Sequence, residues 1–297
     1  MKKVLIVLIA VLMGIRMYAQ NGVYCKPLMH ATVAEANYSG DIVIPQTVEI
    51  SGSTYIVTSI DDYAFRGCKG VTSISIPNTV TSFGAYAMAG CSYKEIFIPY
   101  RVMDIGIGSL STETLENIVV SEDNQYYVSV DGVLYNKEKT IMYQYPIAKS
   151  SVDFIVPEGV RRFVSSSIPT LNTQVLDLPT TFEWLGDWNL MQTPNLSKII
   201  IRSSVIPWCH NSLNKSLCEN CTLYVPDDMV EDYKNHEEWG SFKNIKPLSE
   251  ASSVSAPSAA RAKEKGIYGL SGAKRAKIEK GVNIVVKSDG SAAKIVK

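Results

Sequence analysis

One short phrase recurs along this chain: an apolar residue, any residue, a second apolar residue, then usually proline. It reads Ile42-Val43-Ile44-Pro45, Ile74-Ser75-Ile76-Pro77, Ile96-Phe97-Ile98-Pro99, Phe154-Ile155-Val156-Pro157, Leu176-Asp177-Leu178-Pro179 and Leu223-Tyr224-Val225-Pro226. Two degenerate copies, Ile118-Val119-Val120-Ser121 and Ile199-Ile200-Ile201-Arg202, fill the gaps. The last positions of the eight copies are separated by 32, 22, 22, 36, 22, 23 and 24 residues. A fixed period of this size marks a repeat array. Ile74 and Ile76 alternate with Ser73 and Ser75, so each copy reads as a strand with one face inward. Pro77 ends its strand because proline donates no ladder hydrogen bond. Val80, Phe83, Ala87 and Met88 supply the other apolar sides of a coil. No coil buries these side chains alone, whereas stacked coils bury them in one continuous core. The expected fold is a repeat solenoid, mainly β within an α+β composition, of about eight coils with a parallel sheet on one face.

Both long intervals read as inserted β-hairpins. In the first, Val48 to Ile50 and Tyr55 to Val57 flank Ser51-Gly52-Ser53. In the second, Tyr126 to Val130 and Val133 to Tyr135 flank Asp131-Gly132, a dipeptide suited to the primed turns that match strand twist. A further strand is expected over Ile141 to Tyr145. The array should close with a helical cap over 227–247, in which Asp227 or Asp228 N-caps a helix carrying Met229, Val230 and Tyr233, followed by Trp239 and Phe242.

The termini differ from this body. Lys2 and Lys3 precede an apolar run, Val4 to Met13, and a small residue, Ala19. That order reads as a secretory signal peptide over 1–19, cleaved after Ala19, and the run is short for a membrane span. After residue 247 the composition turns to Ser and Ala over 248–264, a linker. Three short strands with glycine turns are expected in a small C-terminal β-module over 265–297. Residues 20–247, the repeat domain, carry a net charge of −9, hidden in a neutral total. An acidic body repels a phosphate backbone, so a nucleic-acid partner is excluded. After signal cleavage no transmembrane span is expected.

The passage Val71 to Cys91, with Ile74, Ile76-Pro77, Val80, Phe83, Ala87-Met88 and Cys91, resembles the BspA-like leucine-rich repeat. The resemblance covers about residues 40–247; copies after residue 100 lose the Ala-Phe and Cys positions. It implies a secreted or cell-surface bacterial protein of adhesin or host-interaction type, with no catalytic role and no cofactor. The 265–297 tail resembles, in short form, the C-terminal module of type IX secretion substrates.

The candidate site lies on the sheet face. Outward strand positions and their neighbours there give Glu95, Phe97, Asn117, Val119, Asp153, Ile155, Asp177, Ile200 and Tyr224 as a partner-binding set. Phe97, Val119 and Ile155 are expected in one apolar column with an acidic rim, an arrangement that marks partner sites. The partner would be a protein or a glycan at the cell surface. Cys209, Cys218 and Cys221 form the densest cysteine cluster; an exported chain favours a disulfide among them, with free thiols or a zinc site as the other readings. No metal ligand set is assigned, because adjacent Cys209-His210 is a poor tetrahedral arrangement. Cys68 and Cys91 read as small apolar residues stacked in adjacent coils. His30, His210 and His236 sit in no nucleophile motif. The rival reading is a carbohydrate-binding or accessory glycan-degrading protein, with Tyr126, Tyr127, Trp184 and Trp188 stacking on sugars and Asp177 with Glu183 as a carboxylate pair.

Overall fold

The computed structural model describes residues 18–20, 23–27, 31–168 and 172–251, together with the backbone of strands between 264 and 296. The chain forms two compact units, Met1–Ala251 and Ser252–Lys297. The apolar run Val4 to Met13 lies outside the described residues. The cleavage point expected after Ala19 falls inside a strand, Tyr18–Gln20, that pairs antiparallel with Val23–Pro27. Among the described residues no helix is long and apolar enough to cross a membrane.

The first unit is a parallel β-solenoid. Its first face carries the recurrent phrase, in three ladders rather than the one sheet expected. Ser39–Val43 pairs with Gly70–Ser75, and Glu95–Ile98 pairs with Asn117–Val120. Asp153–Ile155, Val175–Leu178, Lys198–Ile201, Thr222–Val225 and Asn244–Pro247 form the third ladder. The inward residues Ile74, Ile76, Ile96, Ile98, Leu176, Leu178, Leu223 and Val225 are all buried. Asn244–Pro247 is a ninth strand, inside the stretch expected to be cap alone. Its single inward apolar residue, Ile245, stands in register with Leu223, and its proline is tolerated because the strand is an edge.

A second face completes each coil. Two-residue strands, Ser82–Phe83 and Asp104–Ile105, then Arg162–Phe163, Trp184–Leu185 and Trp208–Cys209, stack in parallel register. Each sends one apolar side chain inward: Phe83, Ile105, Phe163, Leu185 and Cys209 are buried. On the third side the backbones of successive turns bond directly, as in Tyr63 N–H to Ala85 O at 2.9 Å and Met88 N–H to Ser109 O at 2.9 Å.

Both insertions are hairpins. Thr47–Ile50 pairs with Ser53–Ile60, and Tyr127–Val130 pairs with Val133–Asn136, which passes antiparallel to Ile141–Gln144. Asp131 and Gly132 both have positive φ, +49° and +75°, as a primed turn requires. This second hairpin follows Asn117–Val120 where the next first-face strand would lie; the Ile118 N–H bonds to Gly132 O at 3.1 Å. It therefore interrupts the sheet, and the core divides there into two clusters.

The cap differs in detail from expectation. A 3-10 turn, Asp227–Met229, leads into the helix Val230–Lys234, and no side chain N-caps either. The Asp227 carboxylate instead faces Ser249, whose hydroxyl first and then N–H, at 3.0 Å, hold it below the usual carboxylate range. Trp239, Tyr233 and Phe242 close the last coil, with the indole N–H donating to Pro207 O at 2.8 Å. A helix not read from the sequence, Lys215–Asn220, is capped by Asn214. Among the described residues the second unit is an antiparallel sheet of four strands, Glu264–Gly269, Lys274–Arg275, Val282–Lys287 and Ala292–Val296, one more than expected. Its first strand begins at Glu264, which the composition had placed in the linker.

Candidate functional site

The nine sheet-face residues do not form one patch. Glu95 and Phe97 stand in register with Asn117 and Val119 on paired strands. Phe97 is 48% exposed and Val119 half-buried beside it. The Asn117 amide donates to Glu95 Oε2 at 2.6 Å, and Lys94 pairs with Glu116 at 2.8 Å, so the rim is ordered. Asp153 and Ile155 belong to the third ladder, in register with Val175 and Asp177. The turn of the second hairpin stands between the two groups, and the expected column of Phe97, Val119 and Ile155 is broken there. Lys149 anchors the turn, donating to Asp131 O at 2.7 Å and pairing with its carboxylate at 3.1 Å. Hollows flank it, an open one of about 630 Å³ against Asn117 and one of about 220 Å³ against Asp153 and Ile155.

Asp177 and Ile200 are corrections to the exposed set. They are 2% and 1% exposed. Asp177 stands in register between Ile155 and Ile200, and Arg202 engages both its oxygens at 2.7 Å. A carboxylate so placed is a structural ion pair, since burial demands a partner for the charge. Tyr224, next to Ile200 in register, is half-buried, with the Lys198 ammonium 5.4 Å from its ring. Glu183, the other half of the rival carboxylate pair, is bound to Arg161 on the second face. The two carboxylates thus occupy separate ion pairs and share no cleft.

The cysteines are corrected too. Cys209, Cys218 and Cys221 are free and buried, on a second-face strand, on the helix Lys215–Asn220 and at its C-cap. Burial pushes the Cys209 and Cys221 thiols up to about 12 and raises Cys218, and Cys218 adds like-charge repulsion to the other two. They pack as small apolar side chains rather than as a bridge. Cys68 and Cys91 occupy equivalent places in adjacent coils and donate to Ala36 O and Phe65 O, both at 3.3 Å. Among the described residues no cluster of three His, Cys, Asp or Glu gathers to hold a metal. His210 faces Asp187 at 3.1 Å and Asn211 at 3.0 Å, and His236 accepts the Glu238 N–H.

Aromatic residues occupy the second face more than the sequence disclosed. Trp184 and Trp208 stand in register and stack at 3.9 Å, and His210 lies 5.9 Å from Trp208. Trp208 was missed, although its 24-residue offset from Trp184 is the period of that part of the array. Of the four aromatics in the rival reading, Tyr126, Trp184 and Trp188 are exposed, while Tyr127, on the hairpin's first strand, is buried.

Residues 44–132 match the family model of the BspA type leucine rich repeat region, in six copies. That segment is similar to leucine-rich repeats, and the parallel first-face pairing of the solenoid continues past it to Pro247. Among solved structures it is similar to the pneumococcal vaccine antigen PcpA, at 14% identity and a TM-score of 0.46, over 72% of this chain and 82% of that one. A leucine rich cell surface protein from Faecalibacterium prausnitzii is similar at 14% identity and a TM-score of 0.42, over 78% and 95% of the two chains. A leucine-rich repeat protein from Bacteroides ovatus gives 16% and 0.38, over 80% and 76%. No curated protein matches the chain.

Proposed function

We propose that this chain is an exported, non-enzymatic repeat protein of the bacterial cell surface that holds a protein partner through its first face. The signal-peptide pattern of 1–19 supports export, and the tail module over 265–297 is read as a sorting or attachment element. The observation that carries the binding reading is Phe97. Its ring lies half exposed on the outer side of a strand, against Val119 and ringed by the bonded pair Glu95 and Asn117. An aromatic anchor inside a polar rim is the arrangement that concentrates binding energy. The notch between the hairpin turn and Asn117 gives a partner shape to engage beside it.

Immobilised extracellular-matrix proteins (collagen, fibronectin, laminin) offered to the full chain test this reading by surface plasmon resonance. Phe97→Ala should weaken the observed binding by about 1–3 kcal/mol. Glu95→Lys at the rim should change mainly the salt dependence and the association rate. Equal affinities for wild type and Phe97→Ala, with melting unchanged, would move the site off this face.

A further inference from the structure

Six coils turn the third corner through one residue in the left-handed region: Tyr63, Tyr86, Gly108, Ser166, Trp188 and Asn211 have φ between +48° and +64°. Glycine and asparagine enter that region readily, and a bulky side chain is strained there. Gly108 and Asn211 show that the corner itself asks for nothing larger. Three of the six positions nevertheless carry aromatic rings, so the rings answer to something other than the turn.

Their placement is specific. Tyr63 and Tyr86 stack at 5.9 Å with planes 3° apart, and the Arg66 guanidinium lies 5.1 and 5.8 Å from the two centroids. Tyr86 leans over Gly108, where a Cβ would meet its ring at 2.5 Å. Beyond it, Gly108 and Ser166 carry no bulk, and a trough of about 590 Å³ opens. Tyr86 and Trp188 both line it, together with Gly90, Ser92, Ser111 and Ser166. Trp188 is 56% exposed, and among the described residues no other ring stacks on it. Tyr86 and Trp188 are four coils apart, about 20 Å at ~4.8 Å per coil.

We propose that this trough binds a neutral oligosaccharide chain, at a site separate from the first-face patch. The aromatic side chains in its lining suit the C–H faces of sugar rings, because they combine large apolar area with little loss of side-chain freedom. Hydroxyls in the same lining suit sugar hydroxyls, and few well-placed polar groups set orientation in such sites. The flanking charges, Arg66 and Lys69 against Glu113, are of mixed sign and favour no strongly anionic polymer. The lining mixes apolar Ile147 and Met191 with the hydroxyls of Ser92, Ser111 and Ser166, which suits the alternating C–H and hydroxyl surface of a sugar chain.

Native affinity electrophoresis of the full chain tests the proposal. The gels contain galactomannan, mixed-linkage β-glucan or xylan as neutral probes, and heparin or hyaluronan as anionic ones. Wild type should be retarded by at least one neutral polysaccharide. Trp188→Ala and Tyr86→Ala should each reduce that affinity at least tenfold, Trp188→Phe should keep part of it, and Phe97→Ala should behave as wild type. Trp188→Gly should lose binding while melting at or above the wild-type temperature, since glycine relieves the left-handed corner; a purely structural Trp188 would give the opposite melt. Retardation only by the anionic polymers, none by any probe, or retardation undiminished in both alanine variants would overturn the assignment. Loss of retardation in Phe97→Ala would overturn its separateness from the first-face patch.

Discussion

The Asn189 side chain makes five hydrogen bonds, four of them to the preceding coil. Its Oδ1 accepts from the Ser167 N–H, the Ser167 hydroxyl and the Ile168 N–H, and its amide donates to Val164 O and Gly186 O. Asn124 plays the same part earlier, accepting from Tyr126 and Tyr127 and donating to Pro99 O and Val102 O. Each buried group left without a partner costs about 1–3 kcal/mol. Asn189→Ala should therefore destabilise by about 3 kcal/mol or more in urea unfolding, although it removes only a small polar side chain. Arg202→Ala strands a buried carboxylate and should cost about 3 kcal/mol, the lower end for broken buried pairs, because the guanidinium is itself partly wetted. Arg202→Ala with Asp177→Leu should recover much of that loss; no recovery would show that the pair also orders the strand end. Phe97→Ala, by contrast, should shift stability by under about 0.5 kcal/mol.

At the scale of elements, the second hairpin decides the shape of the candidate face. Its turn residues were readable from Asp131-Gly132, yet its position was not, since nothing local says which coil a hairpin leans on. Gly132 is held at φ +75°, and a Cβ there would meet Asn117 Oδ1 at 2.5 Å. Gly132→Ala should cost about 1–2 kcal/mol from backbone strain and also disturb the Asn117–Glu95 bond. Partner affinity should fall with it, a coupling that surface plasmon resonance on the variant would reveal. The two-residue second-face strands escaped the sequence reading for another reason: two residues carry no periodicity, and only stacking on the coils before and after makes them strands.

For the molecule as a whole, the stacked core makes stability depend on every coil. Ile98→Ala should cost about 2–5 kcal/mol, because stacked backbones cannot collapse into the void. A loss below about half a kcal/mol would show that the site is not core. Burial also sets an alkaline limit. The Cys91, Cys209 and Cys221 thiols rise from 9.0 to about 12 on folding. Between those values the unfolded chain has released protons that the folded chain still holds, so stability, full below about pH 9, falls as pH rises towards 12. Buried tyrosines, Tyr93, Tyr127 and Tyr233 among them, are raised as well and steepen the fall. Melts between pH 8 and 11 of wild type and of a variant with all three thiols changed to alanine should converge on the alkaline side if this account holds.

The period of the apolar phrase determined that this chain coils and which of its side chains face inward, and the two long intervals with their turn residues marked two inserted hairpins. These are properties of alternation and spacing, and water enforces them wherever a strand is half-buried. Sequence spacing could not determine where the first face breaks into three ladders, that Asn244–Pro247 adds a ninth strand, or that Asp177 and Ile200 are covered. Each depends on residues distant along the chain: Arg202 on Asp177, the hairpin turn against Asn117, Leu223 beside Ile245. An outward position on a strand says only which side a residue takes. Whether that side meets solvent is decided by what neighbouring coils place over it, and those neighbours meet only when the coils stack.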